Sequence, residues 1–156
     1  DDIEVALQQT LQKFQHQTGL PSRMQIRGTG LPLPADVQVQ VLHVVQEALS
    51  NVRKHAQASH VSLEVDKGER WRFTVRDNGC GFDTERARNE THVGMKIMRE
   101  RAERIGASVA LKSSAAQGTV VTLTLPAHPV AGNPPTAAAP APAVATQDSA
   151  TRHATA

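Results

Sequence analysis

The sequence predicts an α/β two-layer sandwich, in which helices pack on one face of a mixed β-sheet. Two kinds of apolar pattern predict it. Some segments repeat apolar residues with a helical period, and others alternate apolar and polar residues as half-buried strands do. Helices with only one apolar face need a sheet to cover that face. A chain of 156 residues with 39% hydrophobic residues is long enough to form such a core.

Three helices are expected. In the first, Asp1 or Asp2 lies near the start and Gly19 closes the helix after an apolar face formed by Ile3, Leu7, Leu11 and Phe14. The second spans residues 36–55, with Asp36 as N-cap. Its apolar face consists of Val37, Val41, Val44, Val45, Ala48 and Val52. The third spans about 94–105, after a polar and charged segment, 82–93, that is predicted to be irregular.

Five strands are expected between and after these helices. A short strand covers residues 23–27, and two half-buried strands flank the turn at residues 67–69. Their inward positions are Val61, Leu63 and Val65 in the first, and Trp71, Phe73 and Val75 in the second. The last two strands cover residues 108–113 and 118–126. The folded domain is therefore predicted to span residues 1–126.

Residues 127–156 differ in composition from the rest of the chain. Eleven of these thirty residues are Ala and five are Pro, and large apolar side chains are almost missing. Such a segment buries too little apolar surface to offset its ordering entropy. It is predicted to be a disordered tail or linker.

Composition argues against a nucleic-acid-binding role. The net charge is +2, but the basic residues of the third helix alternate with acidic ones, and aromatic residues make up only 3% of the chain. No apolar run approaches the 18 or so residues of a membrane span. The single Cys80 fits a reducing compartment.

The second helix carries the first candidate binding residues. Glu47 and Asn51 lie one turn apart, at the edge of the apolar face, where a cleft can open beside the core. Together they are suited to a metal ion. For an isolated Glu/Asn pair, however, the polar flank of an amphipathic helix is the more common explanation.

The second group follows a strand, where the chain reads Asp77-Asn78-Gly79-Cys80-Gly81. The carboxylate of Asp77 can accept a hydrogen bond from an exocyclic amine, and Gly79 and Gly81 let a planar ring approach the backbone. The alternative is that Asn78-Gly79 forms a type I′ hairpin turn. The residues after it show no strand pattern, which argues against that alternative.

Four motifs in order resemble one family. QEALSNVRKHA resembles the N-box, DNGCGFD the first glycine box, VGMKIMRERAERIGA the second, and QGTVVTLTLP the closing strand of the ATP-binding catalytic domain of bacterial sensor histidine kinases, the GHKL or Bergerat fold. The motifs span residues 40 to 126. Their details are most similar to the nitrate/nitrite-sensor branch.

The resemblance implies an ATP site with Mg²⁺. It gives Asn51 the role of metal ligand and Glu47 that of ordering the outer shell of the metal or a water. Lys54 and His55 become phosphate contacts, although Lys54 is equally explained as a solvated side chain and His55 as a cap of the helix terminus.

Other positions complete the implied nucleotide site. Asp77 reads the adenine amine, and Gly79 and Gly81 line the ring. The Thr119 hydroxyl reaches the same carboxylate or the adenine through water, or else Thr119 is only a β-favouring residue in a strand. Gly94 and Met95 belong to the second glycine box, where Gly94 is expected to begin a helix whose free N–H groups favour phosphate. The charged segment 83–92 is the expected lid, or else a long surface loop.

The implied partners lie outside the sequence. None of the seven histidines is followed by an acidic residue, so the phosphoacceptor histidine is expected on a dimerisation domain of the parent kinase. A response regulator is the next expected partner, and the parent is expected to be homodimeric and anchored in the inner membrane with this part cytoplasmic. The alternatives are a nucleotide-gated protein-interaction module and an anti-sigma-type serine kinase.

Overall fold

A computed structural model describes residues 2–79, 85–114 and 116–127. Its described elements are three α-helices, one π-helical turn and five strands, and the predicted two-layer fold is confirmed. In chain order they are α1 (Asp2–Thr18), β1 (Ser22–Gly28), α2 (Ala35–Asn51), the π-turn (Val52–Ala56), β2 (Val61–Lys67), β3 (Arg72–Asp77), α3 (Glu85–Glu103), β4 (Ser108–Ser114) and β5 (Gly118–Thr124).

The sheet is mixed and has the strand order β1-β2-β3-β5-β4. β1 runs parallel to β2, and the other neighbouring pairs are antiparallel. In the register, Leu63 faces Val75 and Val75 faces Val121, so the apolar positions of the three central strands share one face. That face meets the helices, because side chains alternate between the two faces of a strand.

The core lies between this face and the apolar stripes of the three helices. Phe73 and Trp71 are its largest buried side chains, and their rings stack with centroids 5.8 Å apart. The Trp71 indole Nε1 donates to the carbonyl of Leu31 at 3.1 Å, which satisfies its buried N–H. The opposite face of the sheet is polar, and Arg27 and Arg76 both approach the carboxylate of Glu64 there.

Two predicted boundaries of the second helix are wrong. The α-helix begins at Ala35 with Pro34 as the N-cap residue, so Asp36 lies in the first turn and does not cap it. Pro34 has the extended conformation of an N-cap residue, with φ −60° and ψ 155°, and no side chain caps the helix by a hydrogen bond. The helix also does not continue regularly to residue 55. It ends at Asn51 and passes into the π-turn, which stops at Gln57 with a left-handed φ of 52°.

The prediction that residues 82–93 are irregular is wrong from residue 85 onward. α3 begins at Glu85, so most of the expected lid is helical and Gly94 lies inside the helix rather than at its start. The physical reason is a buried stripe that extends the period of Met98 backward to Met95 and Thr91. Residues 80–84 and the predicted tail beyond residue 127 lie outside the described residues.

Candidate functional site

The C-terminal end of α2 places Glu47 and Asn51 side by side on the surface that α3 covers. Glu47 is half-buried, as predicted for the edge of the stripe. Asn51 is buried, with 5% of its surface exposed, and among the described residues its Nδ2 has no hydrogen-bond partner. A buried amide N–H without a partner costs free energy, so the amide is a group that a ligand can satisfy.

Gly94 brings α3 into close contact with this pair. A β-carbon at Gly94 would lie 2.9 Å from Glu47 Oε2, 3.2 Å from Asn51 Nδ2 and 3.3 Å from Asn51 Oδ1. The glycine therefore brings the second glycine box into close packing contact with the N-box residues Glu47 and Asn51. Its own N–H lies inside a helix, where it is used within the helix. Gly94 therefore does not offer the free N–H of a helix start, while its predicted contact with the nucleotide stays a prediction, and the neighbouring Met95 is buried in the core.

Asp77 lies at the inner end of β3. It follows Phe73 and Val75 on the inward face, and it is 2% exposed. Its Oδ1 accepts hydrogen bonds from the N–H of Gly79 at 2.8 Å and of Thr119 at 3.3 Å. Oδ2 makes no hydrogen bond to any described residue. Desolvation by burial raises the pKa of Asp77, and the two backbone N–H groups oppose this rise.

The start of β5 closes against Asp77. Gly118 has φ 86°, and a β-carbon there would lie 2.3 Å from the Asp77 carbonyl oxygen and 2.9 Å from the Gly79 nitrogen. Only glycine fits both the conformation and the space. Thr119 contacts Asp77 through its N–H, while its hydroxyl lies 3.1 Å from Ser113 Oγ. The predicted residue thus lies beside Asp77, but through its backbone N–H and not through the predicted hydroxyl, and the role of Gly118 was not predicted.

Asn78 holds the other side of the site together. Its Oδ1 accepts from the N–H groups of Ser59 and His60 at 3.0 Å each, and its Nδ2 donates to Ser59 Oγ at 2.7 Å. The hairpin alternative for Asn78-Gly79 is wrong. A hairpin would pair β3 with a strand directly after Gly79, but β3 pairs with β2, which precedes it, and with β5, which follows α3 and β4. The side chain instead fixes the loop that leads from the π-turn to β2.

Lys54 and His55 lie in the π-turn. Such a turn inserts one residue into the helical repeat and is frequent at functional sites. The side chain of Lys54 is exposed, which suits both the phosphate contact and the solvated alternative. For His55 the structure describes only its place in the turn, and Gly81 lies outside the described residues.

A second residue that the sequence analysis missed is Thr91. It is 4% exposed on the inner side of α3, and its hydroxyl has no hydrogen-bond partner among the described residues. The residues before Gly94 are polar and charged, which conceals the helical period in the sequence. That period, read backward from Met98, would have placed Thr91 on the buried side.

The described part of the chain holds no group of three or more His, Cys, Asp or Glu side chains able to bind a metal together. None of the described helices is long and apolar enough to span a membrane. The predicted cation contacts, the oxygen of Asn51 and the carboxylate of Glu47, both lie beside Gly94.

The described chain thus combines a mixed sheet, in which an inner strand ends at the buried Asp77, with a facing helix that ends at the buried Asn51. Residues 36–129 match the model of the histidine kinase-, DNA gyrase B-, and HSP90-like ATPase family. The chain belongs to this family, and the predicted resemblance is confirmed. ATP is accordingly the nucleotide of the domain.

The chain is similar to sensor kinases. It is 36% identical over 124 residues to the nitrate/nitrite sensor protein NarQ of Escherichia coli (strain K12), covering 78% of this chain and 22% of that protein. It is 32% identical over 130 residues to the signal transduction histidine-protein kinase/phosphatase DegS of Brevibacillus brevis, covering 81% and 33%. The chain thus spans about a fifth to a third of these relatives.

Solved histidine kinases share the fold. The full-length ShkA structure in complex with AMPPNP aligns with a TM-score of 0.66 and 21% identity, over 83% of this chain and 31% of that one. The histidine kinase domain of the Erythrobacter litoralis EL346 blue-light activated kinase aligns with a TM-score of 0.64 and 23% identity, over 80% and 61%. These likenesses confirm the two-layer architecture.

Proposed function

We propose that this domain binds Mg-ATP and donates the γ-phosphoryl group to a histidine on the dimerisation domain of its parent kinase. The observation that carries the proposal is the state of Asp77. One carboxylate oxygen is fixed by two backbone N–H groups, and the other has no described partner. A fixed acceptor at the buried end of a strand is suited to an exocyclic amine.

The acceptor character of Asp77 favours adenine over guanine. Adenine carries an amine on its six-membered ring where guanine carries a carbonyl oxygen, and a carboxylate facing a carbonyl pairs two acceptors. Gly79 and Gly118 keep the space beside Asp77 clear of side chains. In this arrangement the base contacts Asp77, and the phosphates extend toward the C-terminal end of α2.

Asn51 is the proposed magnesium contact. Mg²⁺ prefers oxygen ligands, keeps several waters and is usually held by one or two side chains together with substrate phosphates. The Asn51 carbonyl oxygen and the Glu47 carboxylate fit a site with so few protein ligands, and both lie close to Gly94 of α3. Bound magnesium would neutralise charge that develops on the phosphates. Lys54, His55 and Met95 remain proposed nucleotide contacts, and so does Gly81.

The transfer itself depends on positioning. The bond between the γ-phosphorus and the ADP oxygen breaks as a bond to an imidazole nitrogen forms, and the imidazole proton passes to an acidic residue beside the acceptor histidine. Both of those groups belong to the dimerisation domain, and a response regulator then receives the phosphoryl group. We further propose that the parent is a homodimer anchored in the inner membrane, with this domain in the cytoplasm.

Calorimetry and phosphotransfer together test the proposal. We expect Mg-ATP to bind more tightly than Mg-GTP, and we expect acid-labile label from ATP to appear on a supplied dimerisation domain of the parent kinase. The domain alone should form no stable phosphohistidine. Asp66→Asn, on the polar face of the sheet, is the matched control for Asp77 variants. Equal affinity for ATP and GTP, or label on one of the seven histidines of this chain, contradicts the proposal.

A further inference from the structure

Thr91 is a polar residue on the otherwise apolar inner stripe of α3. The stripe continues through Met95, Met98 and Ala102, all of which are buried. Thr91 is as buried as they are, at 4% exposure, and its Oγ1 has no partner among the described residues. A helical threonine commonly donates to the carbonyl four residues earlier, but this hydroxyl makes no such bond.

The position of Thr91 follows from Gly94. Gly94 contacts Glu47 and Asn51, and Thr91 lies one turn earlier on the same side of α3, about 4.5 Å along the helix axis. Two buried polar groups without described partners, the Asn51 amide and the Thr91 hydroxyl, are thus carried by facing segments of α2 and α3. Both lie at the end of the site that the phosphates are proposed to reach.

An unsatisfied buried hydroxyl destabilises a fold, whereas a valine of the same shape would not. The hydroxyl is therefore a cost unless a ligand completes its hydrogen bond. A hydroxyl can donate to an anionic oxygen, and phosphate oxygens are such acceptors. Resting on the proposed function, we propose that the Thr91 hydroxyl donates a hydrogen bond to a phosphate oxygen of the bound nucleotide.

Thr91→Val tests this, because it removes the hydroxyl and keeps the shape. We expect the affinity for Mg-ATP and Mg-ADP to fall roughly tenfold to hundredfold, as for the loss of a hydrogen bond to a charged group. The affinity for adenosine, which has no phosphate, should not change. The melting temperature of the nucleotide-free protein should stay the same or rise, and Thr91→Ser should restore binding.

Thr74→Val is the matched control. Thr74 is 5% exposed on β3, but it points to the opposite face of the sheet, so its variant should bind nucleotide as the wild type does. Wild-type affinity of Thr91→Val for ATP and ADP would overturn the inference and leave the proposed function standing. An equal loss of adenosine affinity, or no restoration by Thr91→Ser, would also overturn it. A wild-type protein that binds no nucleotide would instead refute the proposed function.

Discussion

Replacing Asp77 by asparagine distinguishes the roles of its two carboxylate oxygens. Asparagine can keep Oδ1 as the acceptor for Gly79 and Thr119, at 2.8 and 3.3 Å, but it puts an NH₂ group where Oδ2 was. Two donors would then face each other when adenine binds. The lost bond is of the charged kind, worth roughly 1.5–3 kcal/mol, so we expect ATP to bind roughly tenfold to 150-fold more weakly.

The same change should not unfold the domain. Burial raises the pKa of Asp77 above its ordinary value of 3.8, so the ionised form is disfavoured in the fold. The folded state holds this proton more tightly than the unfolded state does. The stability that the group contributes is therefore fully present below pH 3.8 and is lost as the pH rises through the raised pKa. At neutral pH Asp77→Asn should be as stable as the wild type or more stable.

Titration calorimetry and thermal melts over a pH series measure both effects. ATP affinity of the wild type should fall as the pH drops through the raised pKa of Asp77, and that dependence should be absent in Asp77→Asn. Asp66→Asn should bind ATP normally. Unchanged ATP affinity in Asp77→Asn, or a loss that merely follows a lower melting temperature, would refute the role of Asp77 in reading adenine.

Four further changes have expected outcomes. Asn51→Ala should abolish the magnesium dependence of ATP binding with little change in melting temperature; normal transfer with Mg²⁺ would show a structural role. Gly94→Ala gains up to about 1 kcal/mol of helix propensity but places a β-carbon 2.9 Å from a carboxylate oxygen of α2, so calorimetry should show weaker Mg-ATP binding in a protein that still folds. Gly118→Ala should lower the melting temperature by several degrees, because residue 118 has φ 86° and the added β-carbon would meet the backbone of Asp77. Gly19→Ala, whose β-carbon would have nothing within 4 Å, should lower the melting temperature less. Truncation after residue 126 should leave melting temperature and ATP affinity unchanged; a drop of several degrees would show that the tail packs on the domain.

The sheet and α2 could be predicted because their buried apolar residues recur in the sequence with the short periods of a strand and a helix. Val61 to Val65 and Phe73 to Val75 alternate strictly, and extending that alternation by two residues puts Asp77 on the core face. The position of Asn51 beside Glu47 at the edge of the helical apolar face also follows from the spacing of the two residues. These features depend on local sequence, which a single chain displays directly.

The missed features depend on contacts between distant segments. Nothing around Gly94 in the sequence shows that the backbone of α3 would lie against Glu47 and Asn51 of α2, and the burial of Thr91 one turn earlier is equally a matter of packing between segments. The need for Gly118 arises from the carbonyl of Asp77, 41 residues earlier in the chain. The three hydrogen bonds of Asn78 to the loop before β2 are likewise set by the meeting of two chain segments.

The Asn51 amide and the Thr91 hydroxyl, which have no hydrogen-bond partner in the described part of the chain, and the buried carboxylate of Asp77 have a consequence for laboratory evolution. Each is a position where an apolar or neutral residue removes a cost from the nucleotide-free fold. A screen that rewards heat resistance alone should therefore collect substitutions at these three positions early. The selected variants would be heat-resistant domains that no longer bind ATP, so such a screen needs nucleotide binding as a second criterion.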